Sequence, residues 1–502
     1  MDVNSENLRF IMGFKLKQHR LENNMSLKEL ADKTSLSISY LSEIEKGKKY
    51  PKPEKILKLA QALGISFDEM VSLQVKKELD PLPIIFSSPV IKEFPFRMYG
   101  VSTQDLLALI TGTPEKSGAL IRTFLEIGQD YDMRVEHLLL SALRSYQHMH
   151  HNYFEEIEMA VSSFIKENNW RPGQSLNEKF LHRFLVDTYN YEIDEDALSQ
   201  YPEAADFRAV WIDKDSPKLL VKTDLTPEQK AFVYAKEIGF NFLKLKERAN
   251  IVTRMIVQSF EQLLNNFKAS YFAAALLMNR EQMCKDLKKI LSNEQWNGNE
   301  FLELIERYEV TPETFMYRLS TLLPQFFGLK NLIFFRFKNQ PETNSFELTK
   351  LFNMSRIFIP NGIGVKEHYC HRWSSIKLLK KLAALPNKKQ NDKPLIAVQR
   401  SHFLDLKGDI FSITLAYPAM LNNGSNTSIT ISFLMNNQFK KTVAFWNDPD
   451  IPVVEVNETC ERCGLSAEQC SDRAVPSSIF KQQEKLDMQR ELLKNIVAEA
   501  KR

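Results

Sequence analysis

The chain has 502 residues, 43% of them hydrophobic and 26% charged, an ordinary globular balance and enough length for about three domains. Its 66 basic and 63 acidic residues leave a net charge of +3, so any contact with nucleic acid must come from a local basic patch and not from a global field. The opening MDVNSENLRF has neither the basic nor the apolar region of a secretion signal, the longest apolar runs, such as YFAAALLM, are too short to span a bilayer, and five cysteines are too few for a disulfide framework; a cytoplasmic protein without a membrane partner is expected.

Residues Leu8 to Leu73 read as a run of short amphipathic helices. Ser26-Leu27-Lys28-Glu29 and Ser66-Phe67-Asp68-Glu69 are helix-start signals of the capping-box type. Between them Leu30, Ala31, Leu36, Leu41, Ile44, Ile56, Leu59, Ala60 and Leu63 fall at helix-core spacing. Two helices joined across TSLS form a helix-turn-helix, with the second helix running from Ser37 to Lys46.

The frame LKELADKTSLSISYLSEIEKGKKYP followed by ILKLAQALGIS resembles the phage-repressor (XRE/Cro) type of DNA-binding domain over almost all of residues 8–73. The resemblance implies a five-helix lambda-repressor-like fold, an operator in double-stranded DNA and a structural ion pair between Arg20 and Glu45. It implies that Ser37, Ile38, Ser39, Tyr40 and Glu43 face the groove, that Lys46, Lys48 and Lys49 meet phosphates, and that Lys28 also belongs to the DNA-binding set. Serine can donate to or accept from several bases, isoleucine suits a thymine methyl and glutamate a cytosine amine. One departure is Ser35, where such turns often carry glycine because the backbone turns left-handed. One such domain grips one half-site, so a homodimer on a two-fold operator is expected.

The prolines of DPLPIIFSSPVIKEFPF mark Asp80 to Phe96 as a linker, and residues 103–168 return to helical periodicity. Those helices are the candidate dimer surface; a monomeric bundle is the alternative. His148, His150 and His151 read as surface histidines, since positions 148 and 150 cannot share a helix face. From about 176 to 338 short strands (FRAVWID, KLLVKT) mix with strong helices, and Thr226-Pro227-Glu228-Gln229 opens one of them.

That helix holds Lys236-Glu237-Ile238-Gly239-Phe240, one pattern away from the His-Glu-x-x-His of zinc peptidases. Such a site needs two imidazoles a turn apart, a third ligand from a second helix and a glutamate base. Lysine repels Zn²⁺ and phenylalanine has no lone pair. With NNFKASYFAAALLM as the second helix, the region resembles the ImmA/IrrE type of metallopeptidase-like domain, and the place of its acidic third ligand is taken by Lys268. A retained zincin-like fold with a dismantled site at Lys236, Glu237, Phe240 and Lys268 is expected, with no catalytic residues; a working zinc peptidase is the least favoured alternative.

Beyond residue 340 come a helix over KEHYCHRWSSIKLLKKLAAL and strands in LIAVQRS, DIFSITLAYP and SITISFLM. Cys460, Cys463 and Cys470 follow within a short stretch, and Cys370, His368 or His371 could supply a fourth ligand to a structural zinc; a redox dithiol or inert buried thiols stay open. The order of parts, ending in a cysteine cluster and Arg473-Ala474-Val475-Pro476, is similar to the short-chain fatty acyl transcriptional regulators, which implies a small-molecule effector of the acyl-CoA type.

The expected whole is multidomain, mostly α with α+β parts. It comprises a helix-turn-helix domain (1–75), a linker and helical region (76–170), a degenerate metallopeptidase-like domain (171–340), an α+β sensor-like domain (341–476) and a charged helical tail (477–502). The function this implies is sequence-specific transcriptional regulation in response to an effector. The alternative is a phage- or antitoxin-type repressor acting through a protein partner.

Overall fold

The structure is a computed structural model that describes residues 5–72, 95–99, 123, 135–170, 176–201, 207–250, 259–342, 345–355, 357–360, 367–385, 393–404, 408–419 and 424–500. Most of the linker expected over Asp80 to Phe96 and the helices expected over 103–134 lie outside the described residues. The chain divides into two compact units, residues 1–142 and 143–502.

In the first unit, α1 (Ser5–Glu22), α2 (Leu27–Thr34), α3 (Ile38–Glu45), α4 (Pro53–Leu63) and α5 (Phe67–Val71) close on one core. Met12, Leu16, Leu30, Leu41, Ile44, Ile56, Leu59, Leu63 and Met70 fill it. Ser26 starts α2 with both bonds of a capping box, and the Ser37 hydroxyl accepts from Tyr40 N at the start of α3. Each bond satisfies amide groups that a helix start leaves bare. Lys15 is buried, and its ammonium donates to Glu69 O and Ser72 O, each at 2.7 Å, tying α1 to the end of α5. Gly13 lets α1 cross the end of α3, because a Cβ there would lie 2.1 Å from Ile44 O.

The second unit is α plus β. α6 (Val135–Met149) spans the division between units and is followed by α7 (Glu155–Glu167) and α8 (Glu178–Tyr189). Next come β1 (Glu192–Asp194), β2 (Ala209–Ile212) and β3 (Lys218–Val221), a sheet of order β1-β3-β2. α9 (Pro227–Phe242) and α10 (Phe260–Leu277) pack closely at Gly239, where a Cβ would meet Ala269 O at 3.1 Å. A fully buried Arg318 pairs with Glu158, and Tyr271 donates to the same carboxylate at 2.9 Å. That network joins α7, α10 and the later α13.

α11 (Arg280–Leu291), α12 (Gly298–Arg307) and α13 (Pro312–Phe326) then cover one face of a six-stranded sheet. Its strands are β4 (Leu332–Gln340), β5 (Ser345–Asn353), β6 (Leu395–Phe403), β7 (Asp409–Pro418), β8 (Asn426–Leu434) and β9 (Val453–Val456), in the order β5-β4-β8-β7-β6-β9. Alternation along the strands divides the core. Phe334, Phe411, Ile413, Leu415, Ile429 and Ile431 face the α11–α13 side, whereas Ile333, Phe335, Phe337 and Ala416 face α14 (Ser374–Ala383).

The helix expected over residues 366–385 begins only at Ser374. The preceding residues are drawn into an antiparallel bridge, Tyr369 with Thr459, and Trp373 becomes the residue before the helix. A short α15 (Asn437–Thr442) precedes β9, and the tail forms α16 (Ile479–Ala500). Among the described residues no helix is long and apolar enough to cross a membrane.

Candidate functional site

In the first unit, Leu41 and Ile44 anchor α3 in the core with no exposed surface, which turns Ser37, Ile38 and Ser39 outward. Ile38 keeps 48% of its surface exposed. Arg20 Nε lies 2.6 Å from Glu45 Oε1 and Nη2 3.1 Å from Oε2, while Nη1 donates to Met25 O at 2.7 Å. This fork fixes the end of α3 against α1, and the carboxylate raises the guanidinium's pKa further.

Lys28, Lys46, Lys48 and Lys49 are all exposed. Lys49 Nζ sits 2.7 Å from Glu43 Oε2, so this carboxylate, held below its ordinary pKa by the lysine, must release that cation before it can meet a base. Lys55 on α4 lies over the Tyr40 ring at 4.1 Å, with Lys49 farther off at 5.7 Å. Lys55 was missed in the sequence because it neighbours Tyr40 only through the packing of α4 on α3. Ser35 ends α2 with φ 53° and ψ 33°, the left-handed backbone that glycine adopts more cheaply.

In the second unit, Lys236, Glu237 and Phe240 are buried side by side on α9. The Glu237 carboxylate has Arg248 Nη2 at 2.7 Å from each oxygen and accepts from the Tyr191 hydroxyl at 3.0 Å. The Arg248 guanidinium lies 4.0 Å from the centres of both the Phe240 and the Trp211 rings. A protein cation thus lies between the Glu237 carboxylate and the Phe240 ring. Lys236 donates to Asn266 Oδ1 of α10. Burial, helped by the charges of Arg248 and Arg208 and opposed by Glu237, pulls its ammonium down to about 7. Lys268, also on α10, is half-buried. A charged lysine and a phenylalanine ring are not metal ligands. Arg248 had no signal in the sequence, since it lies in the irregular stretch after α9 and reaches the helix only through the fold.

Cys370, Cys460, Cys463 and Cys470 are all buried. Backbone bonds from Cys370 N to Glu458 O (3.2 Å) and from Cys460 N to His368 O (2.8 Å) join the two distant segments. Arg473 donates to Leu465 O at 2.8 Å and Cys463 O at 3.1 Å, and Ala474 N lies 3.2 Å from Cys460 Sγ. Burial pushes Cys370 up to about 11 and raises Cys463, which keeps these thiols protonated near neutrality. Among the described residues no group of three or more His, Cys, Asp or Glu side chains is placed to hold a metal ion.

An outward-facing second helix of a helix-turn-helix, flanked by lysines and fixed by a buried ion pair, defines a DNA-binding transcriptional regulator. The chain belongs to the helix-turn-helix family, whose pattern it matches over residues 16–70, and residues 198–320 match the IrrE N-terminal-like domain, a peptidase family. Control protein C.BamHI of Bacillus amyloliquefaciens is 37% identical over 62 residues, 12% of this chain and 76% of that one. Among solved structures, a Mycobacterium tuberculosis transcriptional regulator aligns over 68% of this chain and 94% of its own, with 18% identity and a TM-score of 0.45. The apo form of ComR from S. thermophilus aligns over 62% and 99%, with 15% identity and a TM-score of 0.13.

Proposed function

We propose that this regulator reads a specific duplex with the start of α3, binds as a homodimer on a two-fold operator, and changes its DNA affinity when a small-molecule effector binds the second unit. The observation that carries this reading is the outward set Ser37, Ile38 and Ser39 on a helix whose opposite face is fully buried. Ser37, Ile38, Ser39, Tyr40 and Glu43 meet base edges; Lys28, Lys46, Lys48 and Lys49 meet phosphates. The effector class implied by the order of domains is an acyl-CoA-type molecule. The middle domain does no peptide chemistry in this reading, because Lys236, Phe240 and Lys268 stand at its ligand positions and Arg248 neutralises Glu237.

The test compares duplex binding of the whole chain with two variants across salt concentration. Lys48→Ala/Lys49→Ala is expected to weaken all duplexes alike and to lower the slope of log K against log salt by about 2. Ser39→Ala is expected to change sequence preference with the slope intact. An unchanged slope in the double variant places the DNA face elsewhere.

A further inference from the structure

The inner face of the six-stranded sheet is aliphatic and aromatic over most of its area, then turns polar at one end. Arg336 on β4 stands opposite Lys350 on β5. Tyr417 on β7 pairs with Thr427 of β8, one pleat beyond the row that runs through Arg336 and Ile429. Strand alternation puts Arg336 with Phe334, Lys350 with Phe352 and Tyr417 with Leu415, all on the face covered by α11–α13. Glu313, in the first turn of α13, is the carboxylate that meets them. Arg336 Nη1 lies 2.9 and 3.1 Å from its oxygens, and Lys350 Nζ lies 3.5 Å from it.

One carboxylate therefore serves two cations, and the charge of Arg208 also acts on it. Two donors have no hydrogen bond among the described residues, Arg336 Nη2 (its Nε is used by Thr349 Oγ1 at 2.8 Å) and the Tyr417 hydroxyl, while the Lys350 ammonium shares Glu313 with Arg336 and rests 4.2 Å above the Tyr317 ring. Lys350 keeps 39% of its side chain accessible, yet burial lowers its pKa. Two cations thus share one carboxylate at an end of the sheet that solvent can reach, and the positive charge left over, with the donors beside it, suits an anion.

We propose that the side-chain cluster where β4, β5 and β7 meet the first turn of α13 binds the oxyanion head of a small organic anion, with Arg336, Lys350 and Tyr417 as its donors. The Arg336 fork and the Lys350 ammonium suit a carboxylate or a phosphate alike. The site deepens the effector reading above and rests on it only for the consequence at DNA.

The experiment measures the melting temperature of the full chain with acetate, citrate, inorganic phosphate or pyrophosphate, each against sodium chloride at matched ionic strength. At least one anion is expected to raise it by several degrees at millimolar concentration, and comparing the two pairs tells carboxylate from phosphate. Lys350→Met, on an edge strand and leaving the Arg336–Glu313 fork in place, is expected to weaken that anion at least tenfold; Arg336→Gln does the same if it folds, and the surface variant Lys289→Met keeps the response. No response to any of the four in the wild type, or an equal response in Lys350→Met, overturns the proposal. Duplex binding with the same anion separates the two readings. Anion binding that depends on Lys350 but leaves DNA affinity unchanged sinks the effector role and keeps the site. A DNA response that survives in Lys350→Met sinks the site and keeps the effector role.

Discussion

Arg248 explains how the Glu237 carboxylate can stay buried. Glu237 has no exposed surface, and an unpaired carboxylate there would be expensive. Arg248 supplies the missing cation, wedged against Trp211 and Phe240. Arg248→Met should therefore destabilise the second unit by about 3 kcal/mol or more. Glu237→Gln/Arg248→Met should recover most of that loss, as read from urea unfolding of both variants; additive losses would mean that the pair is not coupled. Lys236 gives the opposite lesson. Its ammonium titrates at about 7 in the fold against 10.5 ordinarily, so between these values the unfolded chain holds the extra proton and stability rises with pH. Lys236→Met should stabilise the protein by up to about 3 kcal/mol at pH 6, since each tenfold loss of proton affinity is worth about 1.4 kcal/mol and the Asn266 bond is lost. The gain should shrink toward pH 10, and a constant gain across that range would refute a buried, titrating lysine.

Among the elements, the turn between α2 and α3 carries visible strain. Ser35 holds φ 53° where glycine would be at ease. Ser35→Gly should raise the stability of the first unit by about 0.5–1 kcal/mol, the relief of a left-handed serine less the added chain entropy; a lower melting temperature would show that the hydroxyl matters more than the backbone. This turn was legible in the sequence because its signals are local: a capping serine, a core residue every three or four positions, a glycine-type position filled by serine. The same holds for α9, opened by Thr226 and Pro227, and for the strands β6 to β8. The helix expected from residue 366 was not legible at its start. Its first turn has helical periodicity, but backbone pairing of Tyr369 with Thr459 won over local preference. That competition is set by a partner some ninety residues away.

The whole molecule joins a DNA-reading unit to a larger α plus β unit that includes the match to the IrrE N-terminal-like domain and a six-stranded sheet. The reader could be found from motifs, because helix geometry fixes which residues share a face. The Arg248–Glu237 pair, the Lys55–Tyr40 contact and the cluster of Arg336, Lys350 and Glu313 could not, since each is assembled by tertiary packing from separate segments. Regulation by this protein depends first on sequence-specific recognition of a duplex. The most direct measurement selects binding sites for the full chain from a random duplex pool and compares the best site with a scrambled duplex at one salt concentration. A two-fold symmetric site, bound at least about 10³ times more tightly than the scramble, is the predicted result. Equal affinity for any duplex, or no selected sequence at all, would contradict it.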